Sequence, residues 1–447
     1  MKNVILITID ALRYSNLGCY GYSKSTSPFI DKLSKEGIRF ENAFSTAPFT
    51  PASFPSILAG MYSLRTNNYI LPKDSLLIST VLQKNNYKTA AFHSNAFLTK
   101  YYGYNKGFDV FQDYLISEKT DKNKQINIIK KKISHTLKNN KFLFGLLEKI
   151  TLKKNTYKLP YKRAEIITKD AINFLKKEGN KFVWIHYMDV HDPWVPKNKY
   201  KKQFSKLNKK EVFNLNFKVR KASNNQYKLK NKELKQIEQL YDAELRYVDE
   251  HIKKLILFLK KENVFKKTLI IITSDHEEEF CEKGDVRHKS KLYDVNVKVP
   301  LIIINLKEKV DENNLVSLID LPRTILDYLK IEPPKKWLGK SILKEKRKKV
   351  IMQSFHNKNR TQYNKRFNKN RFIIEAIRTK KWKYILGELK GEELYNLLED
   401  PNEENNLANH NKLKKIKNDL KKKLAEYSLK EKSKIKDIIK GINLNKT

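Results

Sequence analysis

Two apolar runs, Val4-Ile-Leu-Ile-Thr-Ile9 and Leu269-Ile-Ile-Ile-Thr-Ser274, each stop on metal-binding side chains: Asp10 after the first, Asp275 and His276 after the second. Short β-branched runs bounded by polar groups read as strands buried on both faces of a parallel sheet, and such sheets place ligands at their C-terminal edge. A carboxylate at one strand end and a carboxylate plus imidazole at another would form a compact cluster of oxygen and nitrogen donors for a divalent ion. The plainer alternative is that Asp10 and Asp275 each cap a helix following its strand.

Strand-like and helix-like segments alternate along most of the chain. Strands are expected at 3–9, 38–44, 88–94, 181–187 and 299–304, and helices at 27–36, 50–64, 76–85, 163–177, 233–260 and 317–329. That alternation predicts an α/β fold, a large mixed and mostly parallel sheet sandwiched by helices. After Pro333-Pro334 the pattern changes to strands at 349–355, 371–378 and 381–386, which predicts a small antiparallel C-terminal subdomain. The expected division is a catalytic domain over 1–340 with Lys-rich insertions near 115–160 and 197–235, a subdomain over 341–410, and a Lys-rich helical tail over 411–447. Thr50 reads as a helix N-cap with Pro51 at the first helical position, and Glu277, Glu278 and Glu279 read as the opening of another helix.

The net charge is +43 over 447 residues, carried mostly by Lys in the insertions and the tail. It reads either as attraction for polyanions, anionic surfaces or a charged substrate, or as a coding bias toward Lys and Asn. Nucleic acid is disfavoured, because no aromatic-interleaved basic motif or zinc spacing accompanies the charge. Two cysteines, Cys19 and Cys281, cannot build a disulfide framework and fit a reducing compartment. The apolar run at the start is too short for a signal-peptide core or a membrane span, so a cytoplasmic location is expected. Oligomeric state is not legible.

Four stretches in order carry a family resemblance. They are Ile-Asp-Ala-Leu-Arg at 9–13 with Leu-Gly-Cys-Tyr-Gly at 17–21, Thr-Pro-Ala-Ser-Phe-Pro-Ser-Ile-Leu-Ala-Gly at 50–60, His-Tyr-Met-Asp-Val-His-Asp-Pro-Trp at 186–194, and Thr-Ser-Asp-His-Glu-Glu at 273–278. Support comes from His288-Lys289 ahead of Leu-Tyr-Asp at 292–294, and from Glu-Leu-Tyr-Asn-Leu-Leu-Glu-Asp-Pro at 393–401. The chain resembles the sulfatase branch of the alkaline phosphatase superfamily.

That resemblance implies an ester hydrolase with Thr50 at the nucleophile position, ten residues before Gly60. Sulfatases carry Cys or Ser there and convert it to formylglycine, a route closed to threonine. A metal-bound threonine hydroxyl can instead attack phosphorus or sulfur directly, which favours phosphate mono- or diesters. Asp10, Asp275 and His276 would hold the ion, with Thr50 completing the set. Ala11 and His276 stand where sulfatases often have Asp and Asn, so Mn²⁺ or Zn²⁺ is favoured over Ca²⁺. A second ion on Asp189, His191 and His288 is the two-metal alternative. His191 would protonate the leaving group and Lys289 hold non-bridging oxygens, with His288 beside it. Phe54 replaces the motif Arg, and His-Ser-Asn at 93–95 replaces a Gly-Lys-x-His stretch. Both changes are expected to leave room for a bulkier ester substituent. The expected partner is an anionic ester substrate on a glycan or lipid. The alternatives are a phosphoryl-group transferase acting on cell-envelope glycans or lipids and an inactive relative that binds anionic glycans.

Overall fold

The computed structural model describes residues 2–66, 69–114, 159–357, 371–388 and 391–428. Most of the expected insertion at 115–160 and the tail beyond 428 lie outside the described residues.

Strand β1, Asn3–Ile9, is buried at all seven positions and lies at the centre of a seven-stranded sheet. Burying a Val, Ile or Leu side chain contributes roughly 1.5–3 kcal/mol, so this one strand anchors the fold. Its alternate residues feed two different cores. Ile5, Ile7 and Ile9 pack toward one helical layer, while Val4 and Leu6 pack toward the other. That two-faced burial is why the run shows no polar alternation.

The main sheet contains β2 (Gly37–Phe40), β4 (Lys88–Phe92), β5 (Val110–Gln112), β6 (Lys181–Tyr187), β7 (Thr268–Ser274) and β8 (Leu301–Ile304) besides β1, in the order β2-β8-β7-β1-β6-β4-β5. β1 runs parallel to both neighbours, with Thr8 opposite His186 and Ile9 opposite Ser274. β8 is antiparallel to β7 and to β2, so the sheet is mixed but mostly parallel. The register brings the C-terminal ends of β1, β6 and β7 together at one edge.

The expected strand 38–44 is two strands. A break at Glu41 frees β3 (Asn42–Phe44) to pair in parallel with β9 (Leu315–Ser317), outside the main sheet. The helix expected over 50–64 is Thr50–Ala59, because Gly60 ends it in the left-handed region at φ 56°. A Cβ on Gly60 would lie 2.8 Å from the Trp337 ring, so both conformation and space require glycine there. The Lys-rich stretch 197–235 contains helices Asn198–Phe204 and Lys209–Ser223 and leads into the 31-residue helix Asn231–Lys261. Val212, Leu215 and Val219 are buried on one side of Lys209–Ser223, and an Asn208/Glu211 capping box opens it.

The C-terminal sheet is antiparallel, β10 (Val350–Asn357), β11 (Arg371–Arg378), β12 (Trp382–Gly387) and β13 (Gly391–Asn396) in that order. It is joined to the larger unit by charge as well as by apolar packing. Asp294 binds Arg378 at 3.0 Å and the fully buried Lys383 at 2.8 Å, and Lys383 also meets Glu403 at 2.8 Å. From β10, Gln353 N donates to Thr46 O at 2.8 Å, and Phe355 packs edge-on against Phe49 at 5.5 Å. Among the described residues no helix is long and apolar enough to cross a membrane.

Candidate metal and nucleophile site

Asp10 and Asp275 cap no helix: each leaves its strand into a short irregular turn, and both are fully buried. Thr50 is the first helical residue rather than the cap, which is Phe49, and its hydroxyl makes no capping bond. The hydroxyl instead donates toward Asp10 Oδ2 at 3.3 Å and lies 3.3 Å from His276 Nε2. The structure thus brings together the ends of β1 and β7 and the start of Thr50–Ala59.

The donor set fits a cation. Asp10, Asp275 and His276 each offer an atom within 4.8 Å of the others. His276 Nδ1 lies 3.0 Å from the carbonyl oxygen of Glu277, which can only accept, so Nδ1 carries the proton and Nε2 turns a lone pair to the centre. Asp10 Oδ1 and Asp275 Oδ2 are buried with no hydrogen-bond partner. They stand 3.6 and 3.5 Å from that nitrogen. Lone pairs converging in a dry interior are costly unless a positive charge joins them. Burial raises the Asp10 carboxyl, but His191, His186 and His276 outweigh it and hold the group well below the usual carboxylate range. Burial and then the neighbouring Asp10 charge push Asp275 the other way.

Two supports of Asp10 were missed in the sequence. Asn95 Nδ2 donates to Asp10 Oδ2 at 2.9 Å, and His186 Nε2 donates to the same oxygen at 3.2 Å. Thr8 Oγ1, 2.9 Å from Nδ1, fixes the far side of that ring. The clue to His186 was its strand-end position, which becomes specific only once β6 is known to lie beside β1.

His191 and His288 form the more open edge. Their ring centroids are 5.1 Å apart, and His288 lies 4.3 Å from the His276 ring. Burial works against a charged His191, yet Asp192, Asp10 and Glu278 together raise its pKa above the ordinary value. Burial, followed by the neighbouring His276 and His191, pushes His288 well below it.

Several expectations need correction. The Lys289 ammonium pairs with Asp285 and reaches Asn225 at 3.5 Å. The cation beside His191 is Arg287, whose Nε lies 2.6 Å from Asp192 Oδ1. Asp189 is unavailable for a second ion, since it accepts from Ala164 N at 2.8 Å and pairs with Arg163 at 3.4 Å. Glu277, Glu278 and Glu279 begin no helix and are buried. Phe54 opens no space for a substituent: it is fully buried, with its ring 5.0 Å from His186 and 5.3 Å from Trp184.

Comparison with known proteins gives two family matches: "Sulfatase" over residues 2–331 and "N-sulphoglucosamine sulphohydrolase, C-terminal" over 284–430. A similar curated protein is arylsulfatase K of Canis lupus familiaris, 23% identical over 91% of this chain and 79% of its own length. Among solved structures, the phosphonate monoester hydrolase of Agrobacterium radiobacter superposes with a TM-score of 0.72 at 17% identity, covering 96% of each chain. A protein solved with its substrate D-glucosamine-2-N,6-O-disulfate superposes with a TM-score of 0.68 at 19% identity, covering 97% of this chain and 98% of its own.

Proposed function

Because the chain belongs to the sulfatase family, we propose that it is a metal-dependent ester hydrolase that uses Thr50 as a direct nucleophile and favours phosphate over sulfate esters. The observation carrying this reading is the Thr50 hydroxyl 3.3 Å from both Asp10 Oδ2 and His276 Nε2, beside two buried carboxylate oxygens without partners. Folds of this shape serve a phosphonate ester hydrolase as well as a protein that acts on a sulfated sugar, so the fold does not choose the ester. The preference for phosphate rests on position 50, since threonine cannot become the aldehyde on which formylglycine chemistry depends.

Asp10, Asp275 and His276 would hold the ion, with Thr50 at its edge. Two carboxylates and one imidazole suit Mn²⁺ or Zn²⁺ better than Ca²⁺, which prefers a shell made of oxygens. When bound, such an ion supplies positive charge that favours the threonine alkoxide and the charge growing on the ester. Thr50 Oγ1 attacks the central atom, its proton leaving through the hydrogen bond to Asp10 Oδ2 to solvent, from which His191 later recovers the proton it gives to the leaving group. His191, with its pKa raised, keeps the proton that the departing oxygen needs and gives it up as the ester bond breaks. Asn95 and His186 keep Asp10 in place throughout. An anionic ester borne on a glycan is the first natural substrate class to assay.

The test compares an aryl sulfate, an aryl phosphate monoester and a phosphodiester with Mn²⁺, Zn²⁺ or Ca²⁺, alongside mass analysis of Thr50. Phosphate turnover with Mn²⁺ or Zn²⁺ and a phosphorylated Thr50 are expected, with Thr50→Ala at least about 10³-fold slower. Turnover of the sulfate alone would overturn the phosphate preference. Undiminished activity in Thr50→Ala would overturn the nucleophile assignment.

A further inference from the structure

We propose that Glu278 and His288 act as a pair in the second half of the reaction: the carboxylate fixes the imidazole, and the imidazole takes the proton of the water that releases the Thr50 ester. This rests on the reading of Thr50 as nucleophile.

Glu278 is fully buried, and neither of its oxygens has a hydrogen-bond partner. Such a group is expensive to keep, and in a native structure it asks for a cause. Its Oε1 lies 3.3 Å from His288 Nδ1, which is itself buried without an aligned bond. Contacts of this kind commonly tighten only when substrate is present. The ring of His288 stands near those of His276 and His191, at 4.3 and 5.1 Å. Nδ1 occupies the carboxylate side, so Nε2 stands on the opposite side of the ring, and the side chain keeps 15% exposure.

His191 is held in a matching way. Its Nδ1 is 2.6 Å from the Asp192 carbonyl, and its side chain is 18% exposed. The structure therefore sets two partly open imidazoles side by side, His191 held through Nδ1 and His288 with its Nδ1 facing Glu278. His288 in turn stands against the His276 ring, and His276 Nε2 is 3.3 Å from the Thr50 hydroxyl. A two-step displacement needs an acid for the departing alcohol and a base for the water. His191 serves the first need and His288 the second.

In the second step the water oxygen bonds to the phosphorus held on Thr50, and the bond from phosphorus to Oγ1 breaks. One water proton passes to His288 Nε2 and is then returned to the freed Thr50 oxygen, which restores both side chains. Glu278 touches neither water nor ester. It is a positioning residue that acts through His288.

The experiment uses full-length, metal-loaded Glu278→Gln and His288→Asn with the aryl phosphate that the wild type turns over. The expected result is a burst of about one aryl alcohol per enzyme at a rate within about threefold of wild type, then a steady state about 10²-fold slower. Phosphorylated Thr50 should accumulate, a signature that mere loosening of the site would not give. Glu278→Asp should recover part of the steady-state rate. Metal content and Tm, measured on each variant, identify properly folded protein. Folded, metal-loaded variants whose burst and steady state fall together with no adduct would overturn the pairing while leaving Thr50 as nucleophile. Full activity in Thr50→Ala would overturn the nucleophile reading and the pairing with it.

Discussion

One oxygen of Asp10 receives Asn95 at 2.9 Å, His186 at 3.2 Å and the Thr50 hydroxyl at 3.3 Å, which leaves the other oxygen turned toward Asp275 and His276 without a partner. Groups that orient a ligand this way typically account for 10–100-fold in metal affinity or activity, a range of about 1.4–2.7 kcal/mol. Asn95→Ala is therefore predicted to weaken Mn²⁺ or Zn²⁺ binding by about 10–100-fold, read by metal titration of the folded protein, and unchanged affinity would count against the assigned site. Asp10, Asp275, His276 and Thr50 were legible in the sequence because each sits at a marked place: the end of an apolar run, or a fixed count before Gly60. Asn95, His186 and Glu278 were not. Their roles depend on which strand lies beside which and on a loop turning inward, and three consecutive glutamates look locally like a solvated helix start.

At the scale of elements, the helix Ala164–Leu175 is tied to the loop after β6 by Asp189, which accepts from Ala164 N at 2.8 Å. Asp189 shares Arg163 with a second buried carboxylate, Glu244, whose contact with the guanidinium is 2.8 Å. Burial and then the Glu244 charge push Asp189 from its ordinary 3.8 up to about 8, against the pull of Arg163. An acid that holds its proton more tightly in the folded state stabilises the fold below its unfolded pKa. That contribution is lost as pH rises toward the folded value. Between 3.8 and about 8, the fall of Tm with pH should be shallower in Asp189→Asn than in the wild type, and an identical slope would refute it. The strand and helix periods were readable wherever one face met the core. They failed at Glu41, where one apolar run serves two sheets, and in Lys209–Ser223, where lysines on the outer face hid the buried spacing of Val212, Leu215 and Val219.

On the scale of the whole molecule, the large mixed sheet and the small antiparallel one were both legible as a change of pattern after Pro333-Pro334. Their attachment was not, because it turns on ion pairs between residues 84 and 89 positions apart. Asp294 is the acceptor for both Arg378 and the fully buried Lys383. Arg378 and Lys383 offset the burial that would raise Asp294 and hold it below the usual range. Removing one partner of a buried pair leaves the other charges uncompensated, so Asp294→Ala should cost about 3–5 kcal/mol in denaturant unfolding. A change near zero would show that apolar packing alone holds the two sheets together.

The central strand is made well before either of its partners. Thr8 finds His186 178 residues later, and Ile9 finds Ser274 265 residues later. Synthesis runs at about 5–20 residues per second, so this apolar strand spends on the order of ten seconds or more on the ribosome without the partner that completes its pairing. Until then it is an unpaired, mostly apolar strand that must be shielded from other nascent chains. The proposed metal site inherits the same timing: Asp10 emerges long before Asp275 and His276, so these three donors cannot capture an ion together while the chain is short.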